Sequence, residues 1–266
     1  MPIEFPAVIA AVLYLAAAGV LARPLLLHRE PSSGWLTHGL ASAAVLLHAW
    51  VLASKHHGGV DLHFFAALSL VGACIAGLCL LVNLARPVTT LGLIVFPLAA
   101  ALLLVDAFFA PPTQPLPFDW QIKLHVVFAM LAYSVLSVAA LLAMLLAAQE
   151  RALRHRQFGG IGTALPPLIL TEALMFQLIA AGFVLLTLTL LSGILFVDNL
   201  FAQHLIHKTV LSIAAWVVFG ALLLGRWLYG WRGRRAVRMT LAGMLLLLLA
   251  FFGSRFVLEL VLKRVP

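Results

Sequence analysis

The stretch FDWQIKLHVVFAMLAYSVLSVAALLAMLLAAQE, residues 118–150, decides the fold class. Between Leu124 and Gln149 it contains no Asp, Glu, Lys or Arg. This uncharged run is longer than the roughly 20 residues that a helix needs to cross the hydrocarbon core of a bilayer. Backbone groups in lipid must satisfy one another's hydrogen bonds, so the stretch predicts a transmembrane helix.

The rest of the chain repeats this pattern. Of its 266 residues, 64% are hydrophobic and only 10% are charged, which excludes an ordinary soluble domain. We therefore predict an all-α polytopic membrane protein, with residues 1–266 forming a single integral-membrane domain. Eight spans are predicted: Phe5–Leu27, Trp35–Ser54, Leu62–Leu84, Thr90–Ala110, Leu124–Gln149, Leu174–Val197, Lys208–Tyr229 and Arg238–Leu262.

Arginine is distributed unevenly among the connections between spans. It is concentrated in alternate connections, including residues 151–156 and the GWRGRRAVR segment at 230–238. The positive-inside rule places these connections in the cytoplasm and predicts both termini on the periplasmic side. The net charge of +8 is then explained by cytoplasmic loops, and we expect the lipid bilayer, not nucleic acid, to be the surrounding partner.

Two histidines occupy similar positions in this topology. His125 and His207 lie at the outer ends of the fifth and seventh spans, and His204 lies three residues before His207. Imidazoles at equal depth on separate helices are suited to bis-histidine ligation of haem iron. We therefore take His125 and His207 as candidate metal ligands and His204 as a neighbouring candidate. The alternative is that these side chains are simply wetted at the headgroup level.

The His-led stretch resembles the cytochrome c assembly proteins, the haem-handling membrane family that includes the CcsA, CcmC and HemX types. The resemblance rests on His125 with Tyr133 eight residues later, and on HKTVLSIAAWVVFGALLLGR at 207–226, with Lys208, Trp216 and Arg226 in register. It implies non-covalently bound, b-type haem at an inner-membrane site that includes Tyr133. It also implies a transfer or regulatory role beside another membrane protein, without enzymatic activity of its own.

One segment departs from the family pattern. The family's haem-presenting members carry a tryptophan-rich outer loop, whereas the corresponding stretch here, FVDNLFAQHLI at 196–206, has no tryptophan. The resemblance therefore points to the short bacterial branch of YpjD type. It implies the fold and a haem-related site, not a complete cytochrome c synthase reaction.

Other polar residues leave two further functions open. His38 and His48 lie ten residues apart in the second span, about 15 Å along the axis, and are candidates for a second cofactor site or for hydrogen bonds across the bundle. The HHGGVDLH segment at 56–63 contains ligand types suited to divalent metals. A metal transport or resistance component and a scaffold subunit without cofactor are therefore the alternatives.

Two carboxylates are given structural interpretations. Asp106 is near an outer helix end and is expected to be solvated, and Glu172 is expected to act as a helix-start carboxylate. The sequence contains no nucleotide-binding or hydrolytic motif.

Overall fold

The computed structural model describes residues 3–27, 34–55, 63–85, 89–110, 119–154, 167–196 and 206–253. These residues form helices and contain no strand, and eight helices are long and apolar enough to cross a membrane, which confirms the predicted fold class. The helices are α1 (Glu4–Leu27), α2 (Trp35–Lys55), α3 (Phe64–Ala85), α4 (Thr89–Phe109), α5 (Trp120–Arg154), α6 (Leu168–Phe196), α7 (Ile206–Tyr229) and α8 (Gly233–Leu248). A π-helical turn, Leu249–Gly253, follows α8 directly.

The chain forms two compact units, and α1 to α4 belong to the first. This unit comprises Met1–Pro117 with Ala148–Thr171. Within it, α1 packs on α2 and α4, and α3 packs on the same two helices. Ala7 and Ala10 of α1 are fully buried against Val51 and Leu103. Small side chains at these positions let the helix backbones approach closely, as is common in membrane bundles.

Asp106 in this unit is not solvated, contrary to the prediction. Its side chain is fully buried, and the ammonium of Lys55 donates to its Oδ2 at 3.0 Å and to its backbone carbonyl at 3.0 Å. Lys55 ends α2 and Asp106 lies in the last turn of α4. Because the lysine is attached to another helix, the sequence around Asp106 does not reveal the ion pair.

The second unit comprises Phe118–Ala147 and Glu172–Pro266 and contains most of α5 and α6 together with α7 and α8. Its helices approach closely at glycines. A Cβ added to Gly182 of α6 would lie 2.6 Å from Leu136 of α5, and one added to Gly243 of α8 would lie 2.8 Å from Phe219 of α7. Both contacts are shorter than packed carbon atoms allow, so a side chain at either position would force Leu136 or Phe219 to shift.

Glu172 does not have the helix-start role that was predicted. Helix α6 begins four residues earlier, at Leu168. The carboxylate of Glu172 accepts hydrogen bonds from Arg232 at 3.2 Å and from the backbone N–H of Gly233 at 3.3 Å, and it lies 3.7 Å from Arg226. Glu172 therefore joins α6 to the end of α7 and to the start of α8.

Several helices extend beyond the predicted apolar spans. Helix α5 runs from Trp120 to Arg154, and α6 begins at Leu168 instead of Leu174. Helix α8 likewise begins at Gly233, five residues before the predicted start. Hydropathy marks only the apolar part of a helix, whereas backbone hydrogen bonding continues into its polar turns. The orientation of the termini and the single-domain organisation stay predictions.

Candidate functional site

A partly open cavity of about 400 Å³ lies within the second unit. Helix α5 contributes His125 and Tyr133 to its lining, α7 contributes Lys208 and Trp216, and the π turn contributes Phe251. Helix α6 forms the remaining wall, and the lining is mainly apolar. Small-molecule sites typically have volumes of about 300–1,000 Å³ with a few placed polar groups, and this cavity has that character.

His125 is the cavity's histidine. It is half-buried in the second turn of α5, and its Nδ1 atom lies 2.9 Å from the hydroxyl of Ser192 on α6. Ser192 Oγ in turn donates to the carbonyl of Thr189 at 3.0 Å. No described residue forms a hydrogen bond with the Nε2 atom of His125, and the backbone carbonyl of Thr189 also interacts with the ring. Since neutral imidazole nitrogen is a common metal ligand, His125 can serve a metal in the cavity.

Tyr133 lines the same cavity two helical turns further along α5. Its hydroxyl donates to the carbonyl of Leu247 at 2.5 Å, and its ring packs against Phe251 and Phe252 at centroid distances of 5.9 and 6.0 Å. This hydrogen bond reaches α8 just before the helix changes to π hydrogen bonding. Single π turns occur frequently at functional sites.

A flat aromatic wall is held in place on the α6–α7 side. The indole N–H of Trp216 donates to Thr187 Oγ1 at 2.9 Å, and Thr187 donates to the carbonyl of Phe183 at 2.8 Å. The Trp216 ring stacks on Phe183 at 5.4 Å with an interplanar angle of 20°. Because both its ring and its N–H are engaged, Trp216 presents a fixed surface.

Lys208 supplies a positive charge to the cavity lining. Its ammonium lies 6.0 Å from the centroid of the Phe251 ring, within reach of a cation–π interaction. The cavity thus combines an imidazole, aromatic faces and one ammonium among its described lining residues.

The other histidine predicted for this site is placed differently. His207 is exposed in the first turn of α7 and is not among the cavity's lining residues, although Lys208 beside it is. The structure therefore does not bring His125 and His207 together on the cavity surface. His204 lies outside the described residues.

His48 lies in the first unit, fully buried and fully engaged. Its Nδ1 lies 3.3 Å from the hydroxyl of Tyr14, and its Nε2 lies 3.0 Å from the hydroxyl of Ser69. Tyr14 stacks on Phe96 at 6.1 Å. These contacts are the cross-bundle hydrogen bonds that the sequence left open for this residue, and they leave neither ring nitrogen available to a ligand.

His38 has a different environment in the same helix. Its Nδ1 donates to the carbonyl of Gly34 at 2.6 Å, whereas its Nε2 is buried without a hydrogen bond to any described residue. Among the described residues, no group of three or more His, Cys, Asp or Glu side chains could hold a metal ion. His56, His57 and Asp61 of the HHGGVDLH segment lie outside those residues, so the metal-transport alternative stays a prediction.

Sequence reasoning missed the residues that support the cavity. Thr187, Thr189 and Ser192 follow one another in the apolar run VLLTLTLLSG, residues 184–193. Hydroxyl side chains in a membrane helix often bond to their own backbone, so their presence alone did not single them out. Thr187 and Thr189 line the cavity, but their i, i+2 spacing does not place them on one face of a helix, so the sequence pattern contains no signal that identifies them.

Comparisons with known proteins match this chain to one family. The family model described as cytochrome C assembly protein matches residues 33–262. The inner membrane protein YpjD of Escherichia coli K12 is 42% identical over 137 residues, which cover 52% of each chain. The uncharacterized 28.8 kDa protein in the nifR3-like 5' region of Azospirillum brasilense is 35% identical over 143 residues, which cover 53% of each chain.

A more distant match carries a functional name. The cytochrome c biogenesis protein CcsA of Prochlorococcus marinus is 30% identical over 84 residues, which cover 31% of this chain and 26% of that protein. The matched segment spans about half the length of the YpjD and Azospirillum relatives. No solved structure matches the chain.

Proposed function

We propose that this chain, which belongs to the cytochrome c assembly protein family, binds haem non-covalently in the cavity lined by His125. It is a multi-pass protein of the inner membrane. Membership of the family indicates a role related to cytochrome c biogenesis. Within that role we propose that the chain transfers haem or regulates its supply, and does not itself form or break bonds.

A single observation carries the proposal. His125 lines a mainly apolar cavity with Nδ1 engaged by Ser192 and with no described hydrogen bond to Nε2. An imidazole used only for structure would be expected to have both nitrogens satisfied, as in His48. An open imidazole nitrogen beside apolar space is suited to an axial ligand of haem iron.

The remaining lining residues fit the same group. Haem, when bound, supplies an iron that takes an axial nitrogen, within a flat apolar macrocycle that carries two carboxylates. The fixed ring of Trp216 and the ring of Phe251 offer aromatic surface to such a macrocycle. The ammonium of Lys208 is suited to a carboxylate at the same cavity.

The proposed partner is another membrane protein. Most described residues lie in helices that are long and apolar enough to cross a membrane, so a partner is expected to contact the chain within the bilayer. His207 and His204 stay the candidates from sequence for the opposite face of the iron. His38 is a candidate for a separate, second cofactor site, because its Nε2 has no hydrogen bond to a described residue. His48 is the weakest candidate ligand, because both its ring nitrogens are hydrogen-bonded.

Haemin titration of purified full-length protein tests the proposal. His125→Ala should reduce Soret absorbance per protein sharply, and added imidazole should restore part of it by taking the vacated position. His207→Ala should retain most of the absorbance, because this side chain is exposed and outside the lining. Tyr229→Phe is the control, because it removes only the hydroxyl of an exposed side chain. His48→Ala is not a suitable control for folding, since it disturbs a buried hydrogen-bond network.

Two results would contradict this assignment. Wild-type Soret absorbance in His125→Ala would show that His125 is not the axial ligand of the haem iron. An equal loss in His125→Ala and His207→Ala, with low-spin spectra in the wild type, would restore the bis-histidine pair that the sequence predicts.

A further inference from the structure

We propose that Ser192 is a positioning residue, whose hydroxyl holds His125 in the tautomer protonated at Nδ1 and so presents the Nε2 lone pair to the cavity. The identification of the ligand as haem iron rests on the proposed function, whereas the tautomer does not. Ser192 lies on α6 and is nearly fully buried, and no motif in the sequence points to it.

The hydrogen-bond geometry fixes the direction of each contact. Ser192 Oγ lies 2.9 Å from His125 Nδ1 and 3.0 Å from the carbonyl oxygen of Thr189. A serine hydroxyl carries one proton, and a carbonyl can only accept. The serine proton therefore goes to Thr189, and Nδ1–H of His125 must be the donor to Ser192. In a neutral imidazole the other nitrogen, Nε2, then carries the lone pair.

The opposite assignment is less favourable at both ends of the contact. If Ser192 donated to Nδ1, its lone pairs would face the carbonyl oxygen of Thr189 at 3.0 Å with no proton between them. The proton of His125 would move to Nε2, for which no hydrogen bond to a described residue is found. Protonation at Nδ1 is favoured because it gives this proton an acceptor, Ser192 Oγ, among the described residues.

Burial makes this control effective. An exposed imidazole exchanges tautomers freely, because water can accept from one nitrogen and donate to the other. Ser192 is 5% exposed, and its hydroxyl is oriented by the carbonyl of its own helix, so it is a fixed acceptor. Histidines that bind metals almost always donate their second N–H to such a group, and losing that group typically weakens metal binding roughly 10–100-fold.

The chain provides a matched pair of variants and a control. Ser192→Ala removes the hydroxyl, whereas Ser192→Thr retains it. Ser134 is also a buried serine of this unit, but its hydroxyl donates to the carbonyl of Met130 in its own helix. Ser134→Ala thus removes a buried hydroxyl without a described contact to a histidine.

The experiment has two readouts on full-length protein in lipid nanodiscs. Histidine ¹⁵N NMR of the haem-free protein reports the tautomer, with His125 assigned by its loss in His125→Gln. We expect Nδ1–H in the wild type, Ser192→Thr and Ser134→Ala, and a mixture of tautomers in Ser192→Ala. In haemin titrations we expect Ser192→Ala to bind roughly 10–100-fold more weakly, and Ser192→Thr to recover most of that loss.

The outcomes separate this inference from the proposed function. An Nε2-protonated His125 in the wild type, or an unchanged tautomer and affinity in Ser192→Ala, would overturn the positioning role. A wild type with the expected tautomer that fails to bind haemin would overturn the haem proposal and support the role of Ser192 on His125. If Ser192→Ala does not fold, the equally shaped pair Ser192→Val and Ser192→Thr makes the same comparison.

Discussion

The hydroxyl of Tyr133 donates to the backbone carbonyl of Leu247 at 2.5 Å, although 114 residues separate them in the chain. The bond ties the middle of α5 to the end of α8, one turn from the π segment that contributes Phe251 to the cavity. Tyr133 thus has a structural contact through its hydroxyl and a cavity surface through its ring. These two contributions can be separated by mutation.

Tyr133→Phe should destabilise the protein without removing its ligand site. The change retains the ring but leaves the carbonyl of Leu247 without its buried donor, which costs about 1–3 kcal/mol. Unfolding in mixed detergent micelles measures this loss. The Soret spectrum of haemin-bound protein should change little, since no group proposed to touch iron is altered.

Tyr229→Phe is the matched control for this prediction. Tyr229 is 74% exposed at the end of α7 and stacks on Trp231, with no hydrogen bond described for its hydroxyl. Its replacement should leave stability within about 0.5 kcal/mol of the wild type. Equal effects of the two variants would show that the Tyr133 hydroxyl does not stabilise the α5–α8 contact.

The ion pair between Lys55 and Asp106 should respond asymmetrically to mutation. Lys55→Met leaves a fully buried carboxylate without its counter-ion, and breaking a buried pair in this way costs about 3–5 kcal/mol. Asp106→Asn should cost less, because the Lys55 side chain is 22% exposed and its ammonium can turn toward water or headgroups.

The double variant Lys55→Met with Asp106→Leu completes the cycle. Replacing both members of a buried pair by apolar residues is often neutral or stabilising, and the Oδ1 atom of Asp106 already lacks a hydrogen bond among the described residues. Unfolding free energies of Lys55→Met, of Asp106→Leu alone and of the double variant give the coupling. Additive losses would mean that the two side chains do not stabilise each other.

The membrane fold could be predicted from the sequence because each transmembrane span depends on the composition of its own segment. A span such as residues 124–149 is recognised from its own composition, and His125 and Tyr133 reach one cavity because helix geometry relates positions on the same helix. Ser192, the carbonyl of Leu247 and the partner of Asp106 lie on other helices. Which helices become neighbours depends on packing, and a single sequence does not contain that information in any local pattern.

The same reasoning explains the different outcomes for three histidines. A histidine in a span is costly and so attracts attention, but the sequence alone does not show whether it has a partner. His48 has two partners, supplied by α1 and α3, whereas His125 has one from α6. His207 lies in an exposed first turn, where hydropathy alone gives no indication of the direction of the side chain.

His48→Ala should be among the most destabilising single changes in the first unit. It creates a cavity and leaves the hydroxyls of Tyr14 and Ser69 without their buried partner, which together cost roughly 2–5 kcal/mol. His38→Ala should cost less, since the one hydrogen bond of His38 to a described residue is to Gly34, one turn before it. Unfolding in micelles measures both.

Haemin binding distinguishes this structural role from ligation. His48→Ala that remains folded in lipid should bind haemin as the wild type does, because the proposed ligand is His125. Loss of Soret absorbance in a folded His48→Ala protein would return His48 to the set of ligands considered from sequence.

The topology predicted from the arginine distribution also predicts which side of the membrane the His125 end of the cavity faces. His125 lies five residues after the start of α5, so it is near the end of the helix that follows residues 111–118. Reporter fusions near Arg154 should indicate the cytoplasm, and fusions near position 113 should indicate the periplasm, because Arg151 and Arg154 lie in the last turn of α5 and Arg156 follows it. Replacing these arginines by Gln should weaken the orientation preference, whereas replacing Lys123 should not. The opposite pattern would place the His125 end of the cavity at the cytoplasmic leaflet.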